Sequence, residues 1–139
     1  MGLGLLDRFR RQKVEEKTEE KAEEKTEDKT ELYKFLENDP EVYVALSNTM
    51  FLDPRKVDVS MSEAAKKAKK LEDDKDLVRA RVWYEIAGGL AIHKGDVEKV
   101  KEFFSRSQKI SPDIEYPILR NTSAAVAKAQ EYYKKHLGD

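Results

Sequence analysis

The basic side chains whose spacing could do chemistry lie in one stretch. Lys66, Lys67, Lys69 and Lys70 stand close together, and Lys75, Arg79 and Arg81 follow. Ammonium and guanidinium groups at this density neutralise phosphates, and each such contact releases a condensed counterion. The same stretch holds Glu63, Glu72, Asp73, Asp74 and Asp76, which blunt its field, and no aromatic ladder is interleaved on which bases could stack. A solvated helix face is therefore its competing reading.

A second group opens the chain, where residues 1–13 read MGLGLLDRFRRQK. Over two helical turns Leu5, Leu6 and Phe9 gather together, with Arg8, Arg10 and Arg11 around them. Such a segment lies on an anionic membrane surface or docks in a partner's groove. Three apolar side chains at about 1.5–3 kcal/mol each are opposed by the cost of ordering the segment, so weak, reversible docking is expected. Gly2 fits the start of a myristoylation signal, but Leu6 stands where Ser or Thr is required and the motif fails.

Catalytic chemistry finds little purchase. The chain has no Cys, which removes disulfides, thiolate nucleophiles and Cys-based zinc sites. Its two histidines, His93 and His136, each fall near the C-terminus of a helical pattern, where an imidazolium suits the helix dipole. Two histidines are also too few for a His-rich metal site. Neither a nucleophile motif nor a Gly-rich phosphate loop is present, and Gly88-Gly89 sits inside a helical pattern. These residues predict a protein that is not an enzyme, with no metal, no cofactor and no small-molecule substrate.

Composition sets the outer bounds. The 139 residues carry 27 Lys and Arg against 28 Asp and Glu, a net charge of −1, which argues against a generally basic nucleic-acid binder. No apolar run approaches the roughly 18 residues of a membrane span and no signal-peptide core is evident. The expectation is a cytoplasmic chain, peripheral at a membrane only through residues 1–13. Asn and Gln total six while Lys and Glu dominate the charge, a thermophile-like and archaeal-like bias.

The elements that must position these groups fall into three parts: a short amphipathic basic segment at 1–13, an acidic Glu/Lys repeat at 14–31, and a domain at 32–139. Their net charges are +3, −5 and +1. The middle part repeats EEKT, EEKA, EEKT, EDKT. A period of four stacks Glu15, Glu19, Glu23 and Glu27 over one another and Lys17, Lys21, Lys25 and Lys29 likewise, and like charges at i,i+4 repel. Thr18, Thr26 and Thr30 lower helix propensity further. The repeat is thus expected to be a frayed or disordered tether spanning about 23 Å as a coil.

From Leu32 onward the patterns are helical. Asp39-Pro40 and Asp53-Pro54 each set a cap before a Pro at N1, and Ser60 with Glu63 forms a capping box. Asp74 or Asp76 opens the strongest helix, from Leu77 to Lys94, which Gly95 ends. One apolar stripe on it holds Leu77, Ala80, Trp83, Ala87 and Leu90, another Val78, Val82, Ile86 and Gly89, so the helix should be central. Gly88 and Gly89 cost about 1 kcal/mol each relative to Ala, which points to close approach by a neighbouring helix. Asp96 caps the helix carrying Val100, Phe104 and Ser107, and the tight Gly95-Asp96 turn implies an antiparallel hairpin. Ser111-Pro112 signals one more helix start, and Ile118, Ala125, Ala129, Tyr132 and Leu137 keep helical period toward the end. Strand alternation is confined to Val57-Asp58-Val59, too short to count.

That hairpin resembles a single tetratricopeptide repeat: Tyr84-x-x-Ala87-Gly88-x-x-Ala91, then Gly95-Asp96, Val100-x-x-x-Phe104 and Pro112. The likeness covers about 30 residues, with no second copy 34 residues to either side, so it implies hairpin geometry and a generic αα-hairpin accounts for it equally. Residues 76–104, DLVRARVWYEIAGGL and then DVEKVKEFF, are also similar to the Arg-bearing helix and its successor in the C-terminal domain of primase large subunits. By that resemblance Arg79 and Arg81 would contact nucleotide phosphates. The family ligates an iron–sulfur cluster through cysteines, so only a cluster-free accessory relative is implied.

Together these readings predict an all-α bundle of five or six helices with a tetratricopeptide-like hairpin behind a charged low-complexity tail. The expected function is that of a small non-catalytic adaptor: the domain binds a protein partner and the N-terminal segment docks on a second surface. The alternative is an accessory subunit of a nucleic-acid-processing complex, holding phosphate through Lys66, Lys67, Lys69, Lys70, Arg79 and Arg81. Trp83 on the central helix should lie in the core, and Trp83→Ala should cost about 3–5 kcal/mol. An unaltered melting temperature would instead place the indole at the surface.

Overall fold

The computed structural model describes residues 14–19 and 30–138. Among these the chain is entirely helical: α1 (14–19), α2 (Thr30–Phe35), α3 (Pro40–Ser47), α4 (Met61–Asp73), α5 (Leu77–Lys94), α6 (Val97–Ile110) and α7 (Thr122–Leu137). Two short 3₁₀ turns, Pro54–Lys56 and Pro117–Arg120, lie between helices. The amphipathic segment with Leu5, Leu6, Phe9, Arg8, Arg10 and Arg11 falls outside the described residues.

The caps explain most boundaries. A side-chain oxygen accepts from the backbone N–H three residues on at Asp39, Ser60, Asp76 and Asp96, which satisfies donors the helix start leaves orphaned. Of the two acids that could open α5, Asp76 does so. The Ser60–Glu63 box is complete, with Glu63 Oε1 accepting from the Ser60 N–H at 3.1 Å. Gly95 ends α5 at φ 73°, where a side chain would be strained.

Helix α5 is the centre. It packs along both α4 and α6, each joined to it by a tight turn, while α7 covers the remaining side and α3 packs on α7 and the Pro117–Arg120 turn. The α5–α6 pair is an antiparallel hairpin: Phe104 rests on Gly88, and Ser107 Oγ donates to the Arg81 carbonyl at 3.3 Å. The two mid-helix glycines serve different neighbours. A Cβ on Gly88 would stand 2.5 Å from the Phe104 ring; one on Gly89 would stand 2.8 Å from the Phe51 ring and 3.0 Å from the Thr49 carbonyl oxygen. The close approach expected there is real, and it comes from two aromatic rings and one loop carbonyl rather than from a helix backbone.

The far end of α5 is tied to α7. Gln130 Nε2 donates to the carbonyls of Ile92 and His93 at 2.7 and 2.8 Å, meeting acceptors the helix end leaves over. Tyr133 donates to the Phe51 carbonyl at 2.6 Å and holds the α3–α4 connection beneath α7. Trp83 is 1% exposed.

Three expectations differ from the structure. Residues 14–19 of the repeat are helical and rest against the domain, with Thr18 2% exposed. Leu77 and Val78 on the expected apolar stripes are 45% and 69% exposed: they stand in the first turn of α5, ahead of Ala80, where its burial begins. Ser111-Pro112 opens no α-helix: Pro117 follows too soon, and the residue before a proline is pushed out of the α region. Helix α7 starts at Thr122 instead.

Gly88→Ala gains about 1 kcal/mol of helix propensity and loses about 1–3 kcal/mol by overpacking against Phe104. The melting temperature should therefore fall. A rise would show that the Phe104 ring does not rest on Gly88.

Candidate functional site

The six cations of the expected phosphate patch do not form one surface. They divide among three places, set by where each lies around α4 and α5. Lys66, Lys69 and Lys70 point to the α6 side of α4. Lys67 and Arg79 point to the face occupied by α1. Arg81 turns toward Tyr116 and Glu85.

The first place is a groove of about 540 Å³ between α4 and α6, lined by Lys66, Lys69 and Lys70 with Tyr84, Phe103 and Arg106. Its charges are largely spent. Lys69 pairs with Asp73 and Lys70 with Asp74, both at 3.4 Å in i,i+4 geometry. Tyr84 donates to Glu72 Oε1 at 2.7 Å, and Arg106 Nη1 reaches the same hydroxyl at 3.4 Å while its guanidinium lies 5.7 Å from the ring centroid. Burial, and then the Glu72 bond, push the Tyr84 phenol upward. Sequence reading missed Tyr84, Glu72 and Arg106, whose meeting depends on the register of three helices.

The second place is the one the sequence did not foresee. Helix α1 lies across α4 and α5. Glu15 pairs with Lys67 at 3.1 Å. Glu19 pairs with Arg79 at 2.9 Å, and its Oε1 also accepts from Arg79 Nε at 3.2 Å and from the Trp83 indole at 3.4 Å. The Glu19 bond holds the Arg79 guanidinium above its ordinary range, with Asp76 at 3.7 Å adding to the effect. Thr18 is buried between the two carboxylates and returns its hydroxyl to the Val14 carbonyl at 2.8 Å. Each Glu of this pair sits one helical turn from the other, so the spacing that repels in an isolated helix here matches two cations from two different helices.

The third place is structural. Arg81 pairs with Glu85 at 3.2 Å, and Tyr116 donates a very short bond to the same carboxylate. Burial chiefly, then Glu85, raises the Tyr116 phenol well above its usual range. Among the described residues no group of three His, Asp or Glu side chains is placed to hold a metal, and no cysteine exists to ligate a cluster. No helix among them is long and apolar enough to cross a membrane.

Tyr116 and Tyr133 are both held protonated by burial. An unfolded chain releases those protons near pH 10, while the folded chain keeps them. Stability is therefore complete below about pH 10 and falls as the pH rises beyond it. Denaturant titrations from pH 8 to 11 should show this loss, with a shallower slope in the Tyr116→Phe/Tyr133→Phe variant. Equal slopes would mean that other groups govern the alkaline limb.

No family model, curated protein or solved structure matches the chain.

Proposed function

We propose that the protein is a small non-catalytic helical adaptor, acting in the cytoplasm. Its domain binds a protein partner, and residues 1–13 dock on a second surface, either anionic membrane or another protein. The observation that carries this reading is the docked α1: the α4–α5 face holds a short acidic helix through Lys67, Arg79 and Trp83. A surface that recognises a helix by paired charges around a buried small residue is protein-recognition chemistry. The division of the six cations weighs against the phosphate-binding alternative, since no more than three of them share a place.

The N-terminal segment supplies the second contact. Leu5, Leu6 and Phe9 offer apolar area, and Arg8, Arg10 and Arg11 add roughly 1 kcal/mol each near anionic lipid. The segment is joined to residue 14, which lies in α1 on the α4–α5 face.

The test is co-sedimentation of the full chain with vesicles of mixed neutral and anionic lipid, alongside pull-down of native partners. Leu5→Asp with Phe9→Asp should abolish capture while leaving the melting temperature unchanged. Wild-type protein that binds neither vesicles nor a partner through residues 1–13 would sink the docking role. Capture that survives both substitutions but collapses between low and moderate salt, alongside binding of duplex or single-stranded nucleic acid, would favour the phosphate-binding alternative.

A further inference from the structure

Helix α1 is a poor helix by its own chemistry. Thr18 lowers its propensity, and the charge pattern gives it no i,i+4 attraction between acid and base. Its Glu15 and Glu19 lie one turn apart in line, where like charges repel. Its order therefore comes from the surface beneath it: Lys67 on α4, Arg79 and Trp83 on α5, and the pocket that buries Thr18. An occupant ordered only by its seat is exchangeable.

The seat reads a pattern. A half-buried Val14 precedes Glu15, and three residues on, a buried Thr18 precedes Glu19, so the motif is small–Glu–x–x–small–Glu. The sequence repeats it as Thr18-Glu19 with Ala22-Glu23, and again as Ala22-Glu23 with Thr26-Glu27. The first position thus varies among Val, Thr and Ala, and the second between Thr and Ala, while both carboxylates stay four apart.

We infer that the α4–α5 face is a receptor for acidic helices of a partner protein carrying this small–Glu–x–x–small–Glu spacing, and that α1 is the resident occupant such a helix displaces. The site deepens the adaptor reading by naming the chemistry of the domain's partner, and it rests on that reading for its use but not for its test. The lysine and arginine are drawn from two helices, so they fix the distance between the carboxylates. The indole N–H selects the second of them. The Thr18 pocket excludes a bulky side chain between them. Displacement is a competition at one site, so the resident helix weakens the partner's apparent affinity by the fraction of time it is seated; occupancy near nine-tenths would hide the site about tenfold.

The chain has a single tryptophan, and that residue lies in the seat, so its emission reports occupancy directly. The probe is a capped peptide of sequence VEEKTEEKAEEKTE, titrated into the full-length protein, with a control of identical composition in which no two Glu lie four apart. A second protein, Glu15→Gln with Glu19→Gln, Glu23→Gln and Glu27→Gln, empties every register of the resident repeat. The peptide should shift Trp83 emission and the amide signals of Lys67 and Arg79, and should bind the four-Gln protein about tenfold more tightly than the wild type. Arg79→Ala with Lys67→Ala should abolish the response without altering the circular dichroism of the fold. The control peptide should bind markedly less. Equal binding of the control would show that the face reads charge alone. No response from the four-Gln protein would show that it is not a receptor. Equal affinity for the two proteins would show that α1 does not compete. None of these measurements involves residues 1–13, so their failure is separate from failure of the docking segment.

Discussion

Everything in this fold depends on two missing side chains. Helix α5 can be central only if neighbours reach its axis from both sides, and Gly88 and Gly89 open it at adjacent positions. The Phe104 ring fills the first opening and fixes the register of α6. The Phe51 ring and the Thr49 carbonyl fill the second, bringing the loop after α3 onto a second side of the helix. Because successive helical residues point about a hundred degrees apart, one glycine pair anchors two unrelated elements. The loss of helix propensity is local, while the contacts it permits are between elements distant in sequence. Tyr133 then seals the loop from outside by bonding the Phe51 carbonyl, so α7 depends on the placement that Gly89 allows.

With the core settled by apolar contact, charge is left to decide surfaces. Most ion pairs among the described residues are local, such as Lys69–Asp73 and Lys70–Asp74, and exposed pairs of that kind contribute little to stability. The pairs made by Glu15 and Glu19 differ in kind. They join residues more than fifty positions apart, and both carboxylates are largely shielded, at 22% and 21% exposure. Their value lies in specificity, because two cations from two helices accept only one spacing of acids. Two cations of a basic stretch that looks like a phosphate site in sequence, Lys67 and Arg79, become once folded a seat for the chain's own acidic residues Glu15 and Glu19.

Local chemistry was readable and long-range pairing was not. Asp39, Ser60, Asp96 and Gly95 announce their helix ends through side-chain oxygens or a left-handed backbone, which need only a few neighbouring residues to act. The span of α5 follows from Asp76, Gly95 and the apolar residues between them. Ser111-Pro112 misled because a start signal says nothing of whether five residues later Pro117 will interrupt. Leu77 and Val78 misled because periodicity assigns a face to a residue but cannot say where along the helix burial begins. Residues 14–19, the start of the repeat, misled for a deeper reason. Judged alone, their like charges at i,i+4 disfavour a helix, and nothing local reveals that Lys67 and Arg79 sit at the matching separation. The groove partners Tyr84, Glu72 and Arg106 share that difficulty, since they meet only through the joint register of α4, α5 and α6.

On the proposed docking role of residues 1–13, the seating of α1 would also set where that segment works. With α1 in place, residue 14, to which the segment is joined, is held on the α4–α5 face. Released, the same residues would stand at the end of an arm running to Thr30, whose 16 residues would span about 20–24 Å as a coil. Any ligand that fills the seat therefore lengthens the reach of the segment, and by linkage any surface that captures the segment only at long reach favours an empty seat. The two contacts of such an adaptor are then thermodynamically coupled without any change in the helical core. The coupling cannot exceed the free energy of seating α1, because that equilibrium is the only element both ligands bias. A seat held by two ion pairs and one buried threonine is of a size that a partner helix can match, which is the condition for exchange.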